Sequence, residues 1–213
     1  MPVVTALKAQ QRDKNRVNVY LDGVYSFSLD VSQVLSLGVR SGREYTDEQI
    51  MDIRQESEFG KLYGRALEYA LMRPRSEYEL KQYLYRKTRP TMTKTGERRP
   101  GYGSVSADRV YAQVVERGYV NDTHFAQHWV AQRRLKKGAS RRLLKQELAA
   151  KGVSGEVVEA ALAESMRDEH EELRKVVARV SRRYSDKQKL MQYLVRQGFS
   201  YGDVTEELSG WGG

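Results

Sequence analysis

With 39% hydrophobic and 31% charged residues, a chain of 213 residues can build one large core or several small ones. No apolar run nears the ~18 residues of a membrane-spanning helix, and zero cysteines exclude disulfides, thiol catalysis and Cys-ligated metals. The formal net charge of +9 favours an anionic partner such as nucleic acid, a nucleoprotein or an acidic surface. The opening, MPVVTALKAQQ, lacks the charged-then-apolar order of a signal peptide, so a cytoplasmic location is expected.

The first elements differ from everything after them. Val17–Leu21 and Val24–Leu29 flank Asp22-Gly23, a strong hairpin signal, and Val3–Leu7 offers a third strand across the polar turn Arg12–Arg16. So small a sheet must pack on a helix. A short helix over Val31–Leu37 ends at Gly38. Thr46-Asp47-Glu48-Gln49 has the form of a capping box and opens a helix through Ile50 and Ile53.

Beyond this point one helical pattern is written three times. Leu80 and Leu84 align with Leu144 and Leu148, and with Leu190 and Leu194; four residues before each first leucine stands a cap candidate, Ser76, Ser140 or Asp186. Downstream, Val105-Ser106, Val153-Ser154 and Phe199-Ser200 fall in register, followed by Val110, Val158 and Val204, then Val114, Leu162 and Leu208. Upstream sit Ala66, Val130 and Val176. Copies two and three are 46 residues apart. Each copy reads as three amphipathic helices that bury their apolar faces only together. The fold class expected is mainly α: three tandem three-helix repeats in an elongated curved array, with a small N-terminal β-hairpin or sheet extension. The boundaries expected are 1–58 for the extension, 59–120, 121–168 and 169–213 for the repeats. Residues 88–104 are a polar, basic insertion in the first repeat, read as an exposed flexible loop or floppy hairpin. Gly210–Gly213 reads as a frayed tail.

No catalytic constellation assembles, so no enzymatic activity is expected. His124 and His128 have a one-face spacing, but His-Phe-Ala-Gln-His lacks the adjacent Glu of a zincin motif and a third ligand; no metal site and no cofactor are expected. The basic clusters carry more. Arg133, Arg134, Lys136, Lys137, Arg141, Arg142 and Lys145 fall within thirteen residues that hold no acid. Arg174, Lys175, Arg179, Arg182, Arg183, Lys187 and Lys189 occupy the same part of copy three, and Arg73 and Arg75 mark it in copy one. Stacked modules would line these up as a basic stripe able to neutralise a row of phosphates or meet an acidic groove. Lys94, Arg98 and Arg99 put further charge on the insertion. Tyr83, Tyr85, Tyr102 and Tyr184 lie near these clusters, where a tyrosine either stacks on bases or packs half-buried.

Arg73-Pro74-Arg75-Ser76 with Glu79-Leu80, then Gly118-Tyr119-Val120-Asn121-Asp122 with Phe125-Ala126, then Arg133, Gly138, Leu143-Leu144, Glu147-Leu148 and Lys151-Gly152-Val153 form an ordered motif set. In this the chain resembles the RecX-type regulators of the RecA recombinase over essentially 60–208. Residues 1–58 resemble the N-terminal extension of some members, and 88–104 departs from the family's short connection. The resemblance implies a non-enzymatic modulator, mainly an inhibitor. Such a protein binds the RecA–single-stranded DNA filament and restrains its growth, ATPase, strand exchange and coprotease activity. It implies the RecA filament and single-stranded DNA as partners, duplex DNA at most weakly, no membrane, and a monomer. From the residues alone, a regulator acting directly on duplex DNA through helix-turn-helix-like modules is the alternative.

Overall fold

The computed structural model describes residues 1–11 and 13–211; Arg12 of the expected polar turn, and Gly212 and Gly213 of the expected tail, lie outside the described residues. The chain divides into two compact units, Met1–Arg73 with Leu80–Tyr119, and Pro74–Glu79 with Val120–Gly213.

In the first unit, β1 (Val4–Ala9), β2 (Arg16–Leu21) and β3 (Val24–Asp30) form an antiparallel sheet in that order. Asp22 and Gly23 both take positive φ, 49° and 84°, the geometry of the two-residue turn whose twist suits a hairpin. Val4, Val19, Phe27 and Leu29 face inward and close a core with Val39, Tyr45, Ile50 and Ile53. Val31–Ser36 is α1, opened by a capping box between Asp30 and Gln33. Asp47–Leu71 is α2, opened by the expected box between Thr46 and Gln49. This one helix of 25 residues serves two cores in succession: Ile50, Ile53 and Ser57 bury toward the sheet, and Leu62, Ala66 and Ala70 are buried farther along. The expected boundary at 58/59 therefore falls inside a continuous helix.

Glu77–Thr88 is α3, whose first turn counts with the second unit. Ser104–Glu116 is α4, packed along α2. Between them the insertion is a short exposed hairpin, β4 (Thr91–Met92) against β5 (Arg98–Arg99). One expected register does not hold. Ser154 and Ser200 cap the helices that follow them, but Ser106 lies inside α4, Val105 is 71% exposed, and Gly103 stands at the cap. The insertion delivers the chain to α4 three residues early, at Gly103 rather than Ser106. The Glu58 carboxylate accepts from the amide of Gly103 itself at 2.6 Å, and among the described residues no side chain caps the amides of the first turn.

The second unit holds two like modules. In the first of them α5 (Asp122–Gln132), α6 (Arg141–Ala150) and α7 (Gly155–Ala163) enclose Phe125, Val130, Leu144, Leu148, Val153, Val158 and Leu162. In the other, α8 (Glu169–Val180), α9 (Lys187–Arg196) and α10 (Tyr201–Glu207) enclose Leu173, Val176, Leu190, Leu194, Phe199, Val204 and Leu208. Every apolar position aligned between copies two and three is buried. Trp211, expected to fray, packs half-buried on the last core.

Two serines do more than cap. Ser76 and Ser140 accept from the amides of Glu79 and Leu143, as N-caps do, yet both are fully buried because each hydroxyl also donates to a carbonyl of the next module. Ser76 Oγ donates to Lys151 O at 2.7 Å, and Ser140 Oγ to Gln197 O at 2.6 Å. The following amides repeat the symmetry: Glu77 N donates to the Asp122 carboxylate at 2.8 Å, Arg141 N to that of Glu169 at 3.1 Å. Gly152 and Gly198 complete each joint with positive φ. A Cβ there would lie 2.5 Å from Tyr78 Cβ or 2.6 Å from Ser140 Oγ, so only glycine lets these helices approach.

Candidate nucleic-acid interface

The cations expected to form one stripe divide into two kinds. Arg133 makes a bidentate pair with Glu147, Nε to Oε2 at 2.7 Å and Nη2 to Oε1 at 2.9 Å, and its guanidinium lies 4.9 Å from the Trp129 ring centroid. Trp129 Nε1 donates to the same carboxylate, and Arg134 sits 3.5 Å from it. Burial alone would push the Glu147 carboxyl up, but the hydrogen bond and charge of Arg133 outweigh it and hold the pKa below the ordinary range. Lys145 pairs with Glu159 at 2.5 Å. Arg141 places its guanidinium on Leu162 O, and Arg142 flanks Gly198 with its stem. Most of the cluster in copy two thus fastens its own module or the joint beyond it.

All of the remaining candidates but Arg75 face solvent. Lys136 and Lys137 are exposed on the turn between α5 and α6. Arg179 ends α8, Arg182 and Arg183 lie on the 3-10 turn Ser181–Arg183, and Lys187 opens α9; all four are exposed. Among the described residues none of these six has a carboxylate at ion-pair distance. Arg73 is exposed and Arg75 half-buried on either side of Pro74. Lys94, Arg98 and Arg99 are exposed on the hairpin. Tyr184 lies against Tyr193, centroids 5.6 Å apart, as part of the last core. His124 and His128 are exposed on α5, and among the described residues no three His, Cys, Asp or Glu side chains cluster as a metal site. No helix there is long and apolar enough to cross a membrane.

Sequence reasoning passed over Arg65, Arg86, Lys87 and Arg89, which surround Tyr83 and Tyr102 in the first unit. The alternation Tyr83-Leu84-Tyr85-Arg86-Lys87-Thr88-Arg89, running straight into the insertion, was the available signal.

Two family models match the chain: the regulatory protein RecX N-terminal domain at residues 2–45, and the RecX second three-helix domain at residues 121–162. The regulatory protein RecX of Bacillus licheniformis is 28% identical over 215 residues, covering 98% of this chain and 77% of the relative. That of Halalkalibacterium halodurans is 29% identical over 220 residues, covering 98% and 78%. The chain belongs to the RecX family. The RecX proteins it matches are named as regulators, and membership gives this chain a regulatory role. A crystal structure of regulatory protein RecX shares its fold, with a TM-score of 0.73 at 22% identity over 99% of this chain and all of that one. RecX from Lactobacillus salivarius aligns with a TM-score of 0.54 at 19% identity, over 72% of this chain and 96% of that one. The two sequence matches fall on the N-terminal sheet and on the module formed by α5, α6 and α7, which holds the Trp129–Arg133–Glu147 cluster.

Proposed function

We propose that this RecX protein is a non-enzymatic modulator of RecA, mainly an inhibitor. In this reading it acts in the cytoplasm as a monomer. It binds the RecA–single-stranded DNA filament and restrains filament growth, ATP hydrolysis, strand exchange and coprotease activity. The observation that carries the reading is the likeness to regulatory RecX proteins along 98% of the chain. The cations around the 3-10 turn of the third repeat and at Lys136 and Lys137, which have no carboxylate at ion-pair distance among the described residues, support it, since a polyanionic filament offers them rows of phosphates and acidic side chains. Tandem modules support it too: a second module binding the same polymer does so at high effective concentration.

Filament co-sedimentation tests the reading. Reversing Lys136, Lys137, Arg179, Arg182, Arg183 and Lys187 to Glu is expected to weaken co-pelleting with the RecA–single-stranded DNA filament at least about tenfold, with helix content unchanged by circular dichroism. Undiminished co-pelleting would count against it. Direct action on duplex DNA, which three-helix modules with exposed basic turns also allow, instead predicts sequence-specific duplex footprints without recombinase.

A further inference from the structure

One cleft of the first unit holds a concentration of charge that the filament reading does not use. It has a volume of ≈ 480 Å³ and lies between α2, the end of α3 and the insertion hairpin. Arg65, Arg86, Lys87, Arg89 and Arg99 line it, and no acidic residue does. Among the described residues none of the five cations has a carboxylate partner. Three of them lie beside aromatic rings instead. Lys87 sits 5.1 Å from the Tyr83 centroid, Arg89 4.6 Å from that of Tyr85, and Arg65 5.7 Å from that of Tyr102.

The cleft is built rather than incidental. Tyr83 stacks on Tyr69 with centroids 4.2 Å apart, and its hydroxyl donates to Arg65 O at 3.2 Å, which locks α3 to α2 at the cleft floor. Tyr102 N donates to Lys87 O at 3.0 Å and brings the return strand of the insertion against the end of α3. Gly101 permits that approach: a Cβ there would overlap the Thr88 carbonyl. Tyr102 is thereby held half-buried on the wall, within the ring of cations.

We infer that this cleft is a binding site for single-stranded nucleic acid, in which the five cations hold the phosphodiester backbone and a base stacks on Tyr102. Cations without carboxylate partners keep their full attraction for phosphate and release counterions when they meet it. An aromatic face beside them accepts any unpaired base. A duplex keeps its bases paired inward and can touch only the rim, so the recessed ring favours a single strand. The site goes beyond the filament reading and does not depend on it, because the strand is bound with no recombinase present.

The test is fluorescence anisotropy of a labelled short oligothymidylate with the full chain and no recombinase, over a range of salt. The native protein is expected to bind, with affinity falling as salt rises. Arg65→Glu, Arg86→Glu and Arg89→Glu combined should weaken binding at least about tenfold and reduce the log–log salt slope by about 2, at ~0.7 for each phosphate that is no longer neutralised. Tyr102→Ala should weaken it about tenfold while Tyr102→Phe retains it, because only the ring is needed. Native helix content and melting in these variants ensure that binding, not folding, is read. The proposal is overturned if the native protein does not bind, or if the triple variant binds as well as the native protein. Duplex of equal length competing better than the single strand overturns it, as does free thymidine monophosphate competing as well per nucleotide. A triple variant that keeps the oligothymidylate but no longer co-pellets with recombinase filament also overturns it and assigns the cleft to an acidic protein surface.

Discussion

Glu172 is only 2% exposed, yet it is charged, because three donors surround it: Lys175 Nζ at 2.7 Å, Ala139 N at 2.8 Å and Arg167 Nη2 at 2.9 Å. Burial opposes ionisation, but these hydrogen bonds and the Arg167 charge outweigh it and leave the carboxyl below its ordinary range. A carboxyl whose pKa is lower folded than unfolded stabilises the protein above the unfolded value, about 4.3, and loses that contribution as pH falls through the folded value. Glu169 works in the opposite sense, its carboxyl pushed up by burial. Glu172→Gln strands Arg167, whose side chain is 10% exposed, beside a neutral partner and should cost about 3 kcal/mol by urea unfolding at pH 7. The same variant should lose less stability than the native protein between pH 5 and pH 3, as the native carboxylate takes up its proton. The Arg133–Glu147 pair carries the complementary lesson. An arginine that reads as an exposed ligand for phosphate is committed to a carboxylate fourteen residues on, one helix away. Sequence spacing brings cations together in a count; it does not say which acids the fold will place among them.

At the scale of elements, the serine joint separates caps that only end a helix from caps that also hold the next one. Ser140→Ala removes both the cap and the donor to the part-buried Gln197 carbonyl, and should cost about 2–3 kcal/mol. Ser200→Ala, at an exposed cap, should cost about 1 kcal/mol in the same measurement. Equal losses would mean the joint contributes nothing beyond capping. The leucines at 144, 148, 190 and 194, and the hairpin around Asp22-Gly23, were legible because their periods and turn residues follow local rules. The second hydrogen bond of Ser76 and Ser140 was not, since its acceptor lies 75 or 57 residues away. The start of α4 departs from the repeat for a related reason. The repeat pattern places a serine there, while the insertion changes where the helix starts. Because Lys87 O and Tyr102 N are hydrogen-bonded, the two ends of the insertion already lie together. Deleting 90–103 should therefore move the melting temperature by only a few degrees, about 1 kcal/mol or less. A larger drop would show that the hairpin supports the fold.

Across the whole chain, stability and recognition draw on different cations. Those tied to Glu147, Glu159 and Glu172 hold the modules of the second unit, while Lys136 and Lys137 between α5 and α6, the cations around the 3-10 turn of the third repeat and those on the insertion hairpin have, among the described residues, no carboxylate at ion-pair distance. The net charge of +9 therefore understates how selectively the free charge is distributed. Single-strand-DNA-stimulated ATP hydrolysis by the cognate recombinase, measured with and without the protein, is the most direct test of the regulatory role. Hydrolysis is expected to fall as the protein approaches stoichiometry with filament subunits, and to recover as salt screens the contacts. Hydrolysis unchanged at stoichiometric or higher protein would contradict the account.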